Sequence, residues 1–219
     1  MGDARAGRRV RAFVARDGAA VATLDEEERL VIARIVADVG LLLGAESFGA
    51  EHHSTLPHRE DLAESLRFLE DLDDAPVEPD DPALLRLLPN ASPRDRDVSD
   101  EFRRLTEEEL RSTKIARLRR MWDELSADGT EWVIPAEHVM ATAAALTDVR
   151  LVVASRLGLE SDQDAEALHA ELSRAAEAAD RGVPVDADID PERMWLGMLY
   201  DALTWLQESL VSVTLGGHA

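Results

Sequence analysis

The segment from Met194 to Leu215, MWLGMLYDALTWLQESLVSVTL, decides the fold predicted for this chain. Asp190 and Pro191 precede it as a helix cap and a first helical residue, so a helix is predicted to begin here and to end near Leu215. Apolar side chains cover most of its circumference: Trp195, Leu196, Met198, Leu199, Leu203, Trp205, Leu206, Leu210, Val211 and Val213. A helix of this kind either lies at the centre of a core or is covered by a second subunit.

A second apolar helix is predicted over residues 136–157. One seam of this helix carries five apolar residues: Val139, Leu146, Val149, Val153 and Leu157. We expect the helices between residues 135 and 215 to form the core. A further helix over residues 25–44, which Asp25 and Glu28 begin as a capping box, is expected to pack on that core.

A β-hairpin is predicted near the N-terminus. Asp17 and Gly18 lie between two short alternating runs, and both central residues of a type I′ turn need positive φ, which Asp and Gly tolerate. The short β-prone run from Glu131 to Ile134 is a candidate third strand. The predicted fold class is therefore mainly α, a helical bundle with a small N-terminal β-hairpin and a third short strand as an open alternative.

One helical domain is predicted over residues 9–215, after a disordered N-terminus at residues 1–8. Inside it, an acidic linker is predicted at 73–98, where only DPALLRLLP, residues 81–89, is typical of a short helix. An acidic insertion is predicted at 160–190. Both acidic segments are expected to lie within this single domain and not to mark a boundary between two domains.

Three more helices are predicted over residues 60–72, 99–126 and 163–179. Thr106 and Glu109 form a second capping box inside the long segment, so that segment is a candidate to break near Leu105 into two helices. The apolar face of the 163–179 segment consists of alanines and two leucines, so we expect it to pack weakly.

Charge narrows the classes of partner. The chain has 219 residues, of which 24 are Lys or Arg and 45 are Asp or Glu, giving a net charge of −21. This acidic protein opposes the binding of polyanions such as nucleic acid, whereas a basic protein partner is electrostatically favoured. A negative surface that only aids solubility is the alternative interpretation. The absence of cysteine excludes disulfides, thiolate nucleophiles and Cys-based zinc sites.

A cytoplasmic location without a membrane partner is expected. No apolar run approaches 18 residues free of charge, so no membrane-spanning helix is predicted. The basic N-terminal residues are not followed by the apolar stretch of a signal peptide.

The longest basic run is a candidate contact for nucleic acid or for a partner protein. It comprises Arg111, Lys114, Arg117, Arg119 and Arg120. Residues 99–126 hold seven bases and seven acids, however, and the acids precede the bases, as a helix dipole favours. An ion-paired, solvated helix face is therefore the alternative interpretation of this cluster.

Two further candidates lie on the apolar helices. Trp195 and Trp205 are ten residues apart and share a broad face of the last helix, so they are candidate anchors of an interface or members of the core. Arg150 and Arg156 are candidates for a structural ion pair with Asp201 and Glu208 across the two helices. The alternative is that all of these charged residues point to solvent.

The residues that come nearest to a catalytic or metal site lie in one loop: Glu51, His52, His53, His58, Glu60 and Asp61. Adjacent His52 and His53 do not readily share one ion, and no H-E-x-x-H helix is present, so a solvated loop is the favoured interpretation. No nucleophile elbow, Walker A loop or dinucleotide-binding turn occurs. No catalytic residue, cofactor or metal site is therefore predicted.

Three stretches resemble a bacterial family of unknown function: DPALLRLLP at 81–89, LTDVRLVVASRLGLE at 146–160 and MWLGMLYDALTWLQESLV at 194–211. The resemblance covers about residues 10–215. The family pattern has an LLP segment, carried here by Leu87, Leu88 and Pro89, a D-x-R-L segment, carried by Asp148, Arg150 and Leu151, and a W-L-Q-E end, carried by Trp205 to Glu208. These motifs are helix-packing patterns and not catalytic signatures.

The family name extends to an oxidative-stress transcription regulator, so the resemblance implies a regulatory role. Residues 160–188 are longer here than the family pattern, which indicates a surface insertion. A cysteine-based redox switch cannot operate in this chain, because it has no cysteine.

The expected function is that of a non-enzymatic regulatory protein that acts through protein–protein contacts, with transcription machinery as a candidate partner. One alternative is a transcription regulator that binds DNA directly through Arg111 to Arg120. A metal-dependent hydrolase that uses the His52–Asp61 loop is the remaining alternative. A homodimer is a further candidate assembly, since the last helix is apolar nearly all round.

Overall fold

The computed structural model describes residues 12–48, 78–92, 94–182 and 190–216. Within these ranges the chain forms six helices and one small antiparallel sheet. This architecture confirms the predicted mainly helical fold class with an N-terminal hairpin. The predicted helix at 60–72 and the predicted disordered N-terminus lie outside the described residues.

The sheet contains strands β1 (Val14–Arg16), β2 (Ala19–Thr23) and β3 (Glu131–Pro135) in the order β1-β2-β3, and both pairings are antiparallel. Asp17 and Gly18 join the first two strands with φ angles of 52° and 78°, as a type I′ turn requires. The hairpin and the third strand, which the sequence left open, are therefore both present.

Alternation along β3 attaches the sheet to the helices. Trp132 and Ile134 are fully buried, whereas Glu131 and Val133 face outward. The Phe13 ring contacts the Trp132 ring edge-on, with centroids 5.2 Å apart. The backbone N–H of Phe13 donates to Ser209 Oγ at 3.1 Å, which ties the hairpin to the last helix.

The helices of the described residues are α1 (Glu26–Leu42), α2 (Pro82–Leu87), α3 (Arg96–Ser126), α4 (Val139–Arg156, after a 3₁₀ turn at Ala136–His138), α5 (Asp162–Asp180) and α6 (Pro191–Gly216). Helix α4 lies at the centre, in contact with α6, α3, α2 and α1. Helix α1 packs mainly on α3, and α5 packs on α6. The two segments predicted to form the core thus lie against each other as α4 and α6.

Helix α1 begins with the predicted capping box. The Glu28 N–H donates to Asp25 Oδ1 at 2.9 Å, and the Asp25 N–H donates to Glu28 Oε2 at 2.8 Å. The buried Arg29 guanidinium donates to the Leu125 carbonyl at the end of α3 and to the Gly129 carbonyl in the turn that follows it. Gly44, with a φ of 91°, follows the helix as its stop.

Helix α3 runs without interruption through Leu105, so the predicted candidate break does not occur. Thr106 Oγ1 donates to the carbonyl of Phe102 at 2.8 Å, within the preceding turn. A threonine that bonds back four residues is compatible with a continuous helix, whereas a capping threonine needs extended backbone. The helix begins instead at Asp95, whose carboxylate accepts from the Val98 N–H at 3.1 Å.

The acidic segments contain helices of their own. In the predicted linker, Asp81 caps α2 by accepting from the Ala83 N–H at 2.8 Å, and Leu87 is buried. In the predicted insertion, Ser161 caps α5. Leu168 of α5 is 2% exposed, so at this position the helix is firmly packed.

Gly197 sets how closely α5 approaches α6. A Cβ atom at this position would lie 3.1 Å from Leu168 Cδ1 and 3.3 Å from Leu172 Cδ1. Contacts this tight would force the two leucine side chains to shift, so the absence of a side chain at Gly197 lets the two helices pack closely.

Among the described residues, one helical stretch, Ala136–Arg156, is long and apolar enough to cross a membrane, and 56% of its most apolar part is buried inside the protein. A core helix passes the same test of length and composition. This stretch is therefore weak evidence for a membrane span.

Replacing Gly197 by leucine is expected to detach α5 from α6, because the new side chain overlaps Leu168 and Leu172. Overpacking of this kind costs about 1–3 kcal/mol. Hydrogen exchange should show faster exchange of α5 amides, with α4 amides unchanged. The matched control is Ser212→Leu, which adds a leucine at an exposed position of α6. Equal protection of α5 in the Gly197→Leu variant and in the wild type would contradict this account of the packing.

Candidate functional site

Helix α6 has a buried side and an exposed apolar side. Its buried side carries leucines at intervals of three and four residues: Leu199, Leu203, Leu206 and Leu210. Beside this row Trp195 is 43% exposed, and further round the helix Met198 is 53% exposed and Trp205 is 52% exposed. We call these three residues the outward face of α6. Both tryptophans that the sequence singled out as interface anchors thus lie on the surface.

A groove adjoins this face. It lies between the second half of α5 and the first half of α6 and has a volume of about 550 Å³. Its walls are largely apolar and include Leu172, Ala176, Ala179, Met194, Met198 and Asp201. Met198 belongs both to the groove and to the outward face, so the two form one continuous apolar surface.

The composition of α5 explains why the groove stays open. Leu168 and Leu172 fill the space beside Gly197, but the next positions toward α6 are Ala175, Ala176 and Ala179. Alanine side chains are too short to reach the methionines of α6. A run of small residues after two leucines was the sequence signal for this groove, although by itself it predicted only weak packing.

The two helices that form the groove are acidic, and Asp201 lines the groove itself. Helix α5 carries six carboxylates and Arg174 as its one arginine: Asp162, Asp164, Glu166, Glu171, Glu177 and Asp180. Helix α6 adds Glu192, Asp201 and Glu208. Arg193, its one arginine, donates to the carbonyl of Leu157 at 3.0 Å and lies 3.9 Å from Glu171, with its side chain 41% exposed. The field around the groove therefore favours cations.

Most of the basic run on α3 is bound within the protein. Arg111 donates to the Leu43 carbonyl at 2.8 Å and to Glu107 Oε1 at 2.6 Å. Lys114 forms an ion pair with Asp148 of α4. The Arg119 guanidinium lies 6.0 Å from the centre of the Phe48 ring.

The remaining two members of the run also lie near carboxylates. Arg117 is half-buried and acts electrostatically on Asp148, and Arg120 is exposed and acts on Glu124. Three of the five cations, Arg111, Lys114 and Arg119, are thus engaged within the protein, whereas Arg120 stays exposed. Their arrangement matches the ion-paired alternative more closely than a nucleic-acid contact.

The pair of Lys114 and Asp148 is buried between α3 and α4. Asp148 is 3% exposed, and its Oδ2 atom has no hydrogen-bond partner among the described residues. Burial raises the pKa of Asp148, while Lys114 and Arg117 act in the opposite direction. The sequence analysis missed this contact, although an aspartate between Leu146 and Val149 on an apolar seam was a signal of a buried partner.

Glu124 is a second carboxylate whose pKa is raised by burial. It accepts a hydrogen bond from Trp132 Nε1 at 3.1 Å, and His138 Nδ1 lies 3.7 Å from its Oε1 atom. These contacts join α3, β3 and the turn before α4. Their position indicates that they hold the sheet against the helices.

Three of the four residues predicted as a structural ion pair, Arg150, Arg156 and Asp201, have other partners. Arg150 donates to Gln207 Oε1 at 2.6 Å and lies over the Tyr200 ring, 5.3 Å from its centre. Arg156 binds Asp81 in a bidentate pair at 2.6 and 3.1 Å. Asp201 binds His169 at 2.9 Å, and Glu208 is exposed. A polar contact across α4 and α6 does exist, but an amide takes the place of the carboxylate.

No group of three or more His, Asp or Glu residues that could hold a metal ion occurs in the part of the chain that the structure describes. The loop with His52, His53 and His58 lies outside that part. The described residues therefore do not test the alternative of a metal-dependent hydrolase, which stays a prediction.

Comparison with known proteins identifies one family. DUF2017, a domain of unknown function, matches residues 10–214. Neither the characterised proteins nor the solved structures include a match to the chain.

The buried ion pair gives a test of the α3–α4 contact. Asp148→Ala leaves Lys114 buried without its partner and is expected to lower the free energy of unfolding by about 3–5 kcal/mol. The double variant Lys114→Met/Asp148→Leu removes both charges and should recover most of this loss. Urea unfolding measures both values. If the double variant is as unstable as the single variant, the loss comes from packing and not from the unpaired charge.

Proposed function

The chain belongs to the DUF2017 family, whose description assigns no function, and we propose that it is a regulatory protein that acts by binding a partner protein through α6. In this proposal the protein works by contact and not by catalysis. The observation that carries it is the outward face of α6, where two tryptophans and a methionine stay about half exposed on a helix whose other side is core.

Physical reasons favour a binding role for this face. Tryptophan contributes a large apolar area with few rotatable bonds, and it is enriched among the residues that dominate binding energy at interfaces. Contiguous exposed apolar surface is uncommon on proteins that act alone and is a usual mark of an interaction site. The outward face also adjoins a groove, so a partner has both a raised and a concave surface to contact.

A second exposed apolar stripe lies on α3, at Val98, Phe102 and Leu105. It has the helical spacing of an interface, but none of the described grooves includes these residues. The α6 face is preferred because it combines tryptophans with the α5–α6 groove.

Direct DNA binding is less well supported. It would need the basic run on α3, whose Arg111, Lys114 and Arg119 are engaged with Glu107, Asp148 and Phe48. The net charge of −21 opposes the same contact at long range.

For the biological setting, we propose a cytoplasmic regulator whose partner belongs to the transcription machinery. This part of the proposal follows only from the resemblance of the LLP, D-x-R-L and W-L-Q-E segments, because the description of DUF2017 itself names no regulator. A response to oxidants would have to reach this chain through its partner, because a thiol switch is excluded by the lack of cysteine.

Site-specific photo-cross-linking in the native host tests the proposal. A photoreactive phenylalanine analogue in place of Trp205 is expected to form discrete adducts with another protein. The same analogue at Met140, which is 70% exposed on α4, is the matched control and should not form those adducts. Identical products at both positions, or none at Trp205, would refute the proposal. Adducts that contain only a second copy of this chain would indicate a homodimer instead.

A further inference from the structure

We infer that the α5–α6 groove and the outward face of α6 together bind an amphipathic helix whose polar side is rich in Lys and Arg. This inference rests on the proposed function and adds the chemical class of the partner. It follows from the shape of the surface, from the side chains that line it and from the charge of its rim.

The shape fits a helix of about three turns. Along α6, the surface extends from Met194 in the groove to Trp205 on the outward face. Eleven residues at 1.5 Å each give a length of about 17 Å, which equals about three turns of a bound helix. A helix with apolar residues at i, i+3 or i+4 and i+7 presents one apolar stripe over that distance, and such stripes commonly dock in grooves.

The lining suits an apolar stripe of variable shape. Met194 and Met198 have unbranched, rotatable side chains that adapt to different apolar surfaces, a property that protein-binding grooves often use. Ala176 and Ala179 form a low wall on the α5 side, so large side chains of the bound helix have room to enter. Trp195 and Trp205 supply rigid apolar area beyond the groove.

The rim selects the charge of the ligand. Asp201 lines the groove, and α5 and α6 together carry nine carboxylates against Arg174 and Arg193, with Arg181 directly after α5. Arg193 pairs with Glu171 and Arg181 pairs with Glu177, so the two helices keep an excess of negative charge. Lysine or arginine beside the apolar stripe therefore gains attraction, and glutamate in the same places is repelled. A second copy of this chain would bring −21 against −21, so the charges favour a basic partner over self-association.

Asp201 gives the rim a carboxylate within the groove itself. Its partner is His169, whose side chain is 69% exposed, at 2.9 Å. Because this imidazole is so exposed, a lysine or arginine of the ligand can take its place at the carboxylate. Asp201 thereby fixes one position on the bound helix where a cation is preferred.

Three synthetic peptides of about 15 residues test the inference on the full chain, each long enough to cover the groove. The first has leucines at i, i+3, i+4 and i+7 and lysines elsewhere. The second has glutamate in place of every lysine, and the third has the composition of the first in an order that gives no apolar stripe. Calorimetry measures affinity, and tryptophan emission reports burial of the indole rings.

The lysine peptide is expected to bind at least about 10-fold more tightly than either control peptide, with a shift of tryptophan emission to shorter wavelength. Trp205→Ser and Ala176→Leu, which remove an anchor and fill the groove, should each weaken its binding by about 10-fold or more. Met140→Ser is the matched control and should leave binding unchanged. Trp205 is exposed, so its replacement keeps the test valid even if Ala176→Leu perturbs folding.

Equal binding of the lysine and glutamate peptides, or lysine-peptide binding that Trp205→Ser does not weaken, would overturn the inference. Absence of binding by all three peptides would overturn it too. These failures are distinguishable from failure of the proposed function. If cross-links to another protein still form at position 205, the α6 face binds a partner of a different chemical class.

Discussion

Helix α6 is apolar over more of its surface than its neighbours cover. Its leucines pack on α4, and α5 approaches one flank closely only where Gly197 has no side chain. Beyond that point the alanines of α5 leave a groove, and Trp195 and Trp205 are partly exposed to solvent. The hydrophobic effect stabilises the buried side of α6. The apolar area of α6 that its neighbours do not cover remains available for a second contact.

Polar contacts in the interior complement this arrangement. Arg29 binds the last carbonyls of α3, Arg111 binds Leu43 after α1, and Lys114 pairs with Asp148 of α4. Each contact joins two helices and places a cation in a position where breaking its bonds would be costly. Cations that hold the bundle together contribute less to the outer surface, and α5 and α6 themselves carry more carboxylates than arginines.

Signals that act over a few residues made much of the fold predictable. Asp17–Gly18, the Asp25 and Glu28 capping box, and Asp81–Pro82 each specify a turn or a helix start by their own backbone preferences. The same reasoning wrongly suggested a helix start at Thr106. A threonine hydroxyl can cap a helix, but it can equally donate to the carbonyl four residues earlier in a continuous helix.

Contacts between distant parts of the chain were not predictable. Lys114 and Asp148 are 34 residues apart, and Arg150 and Gln207 are 57 residues apart. The helical wheel placed Trp195 and Trp205 on one face, but which face meets solvent depends on how α4 and α5 pack around α6. The candidate site could therefore be named by residue from the sequence, while its exposure and its groove required the structure.

Hydroxyl-radical footprinting in the living host, compared with the purified protein, measures most directly whether the outward face of α6 is a binding surface. Oxidation of Trp195 and Trp205 should be fast in the purified protein and slow in the cell, while exposed Met140 is oxidised alike in both. Equal oxidation of the two tryptophans in the cell and in the purified protein would contradict a partner on this face.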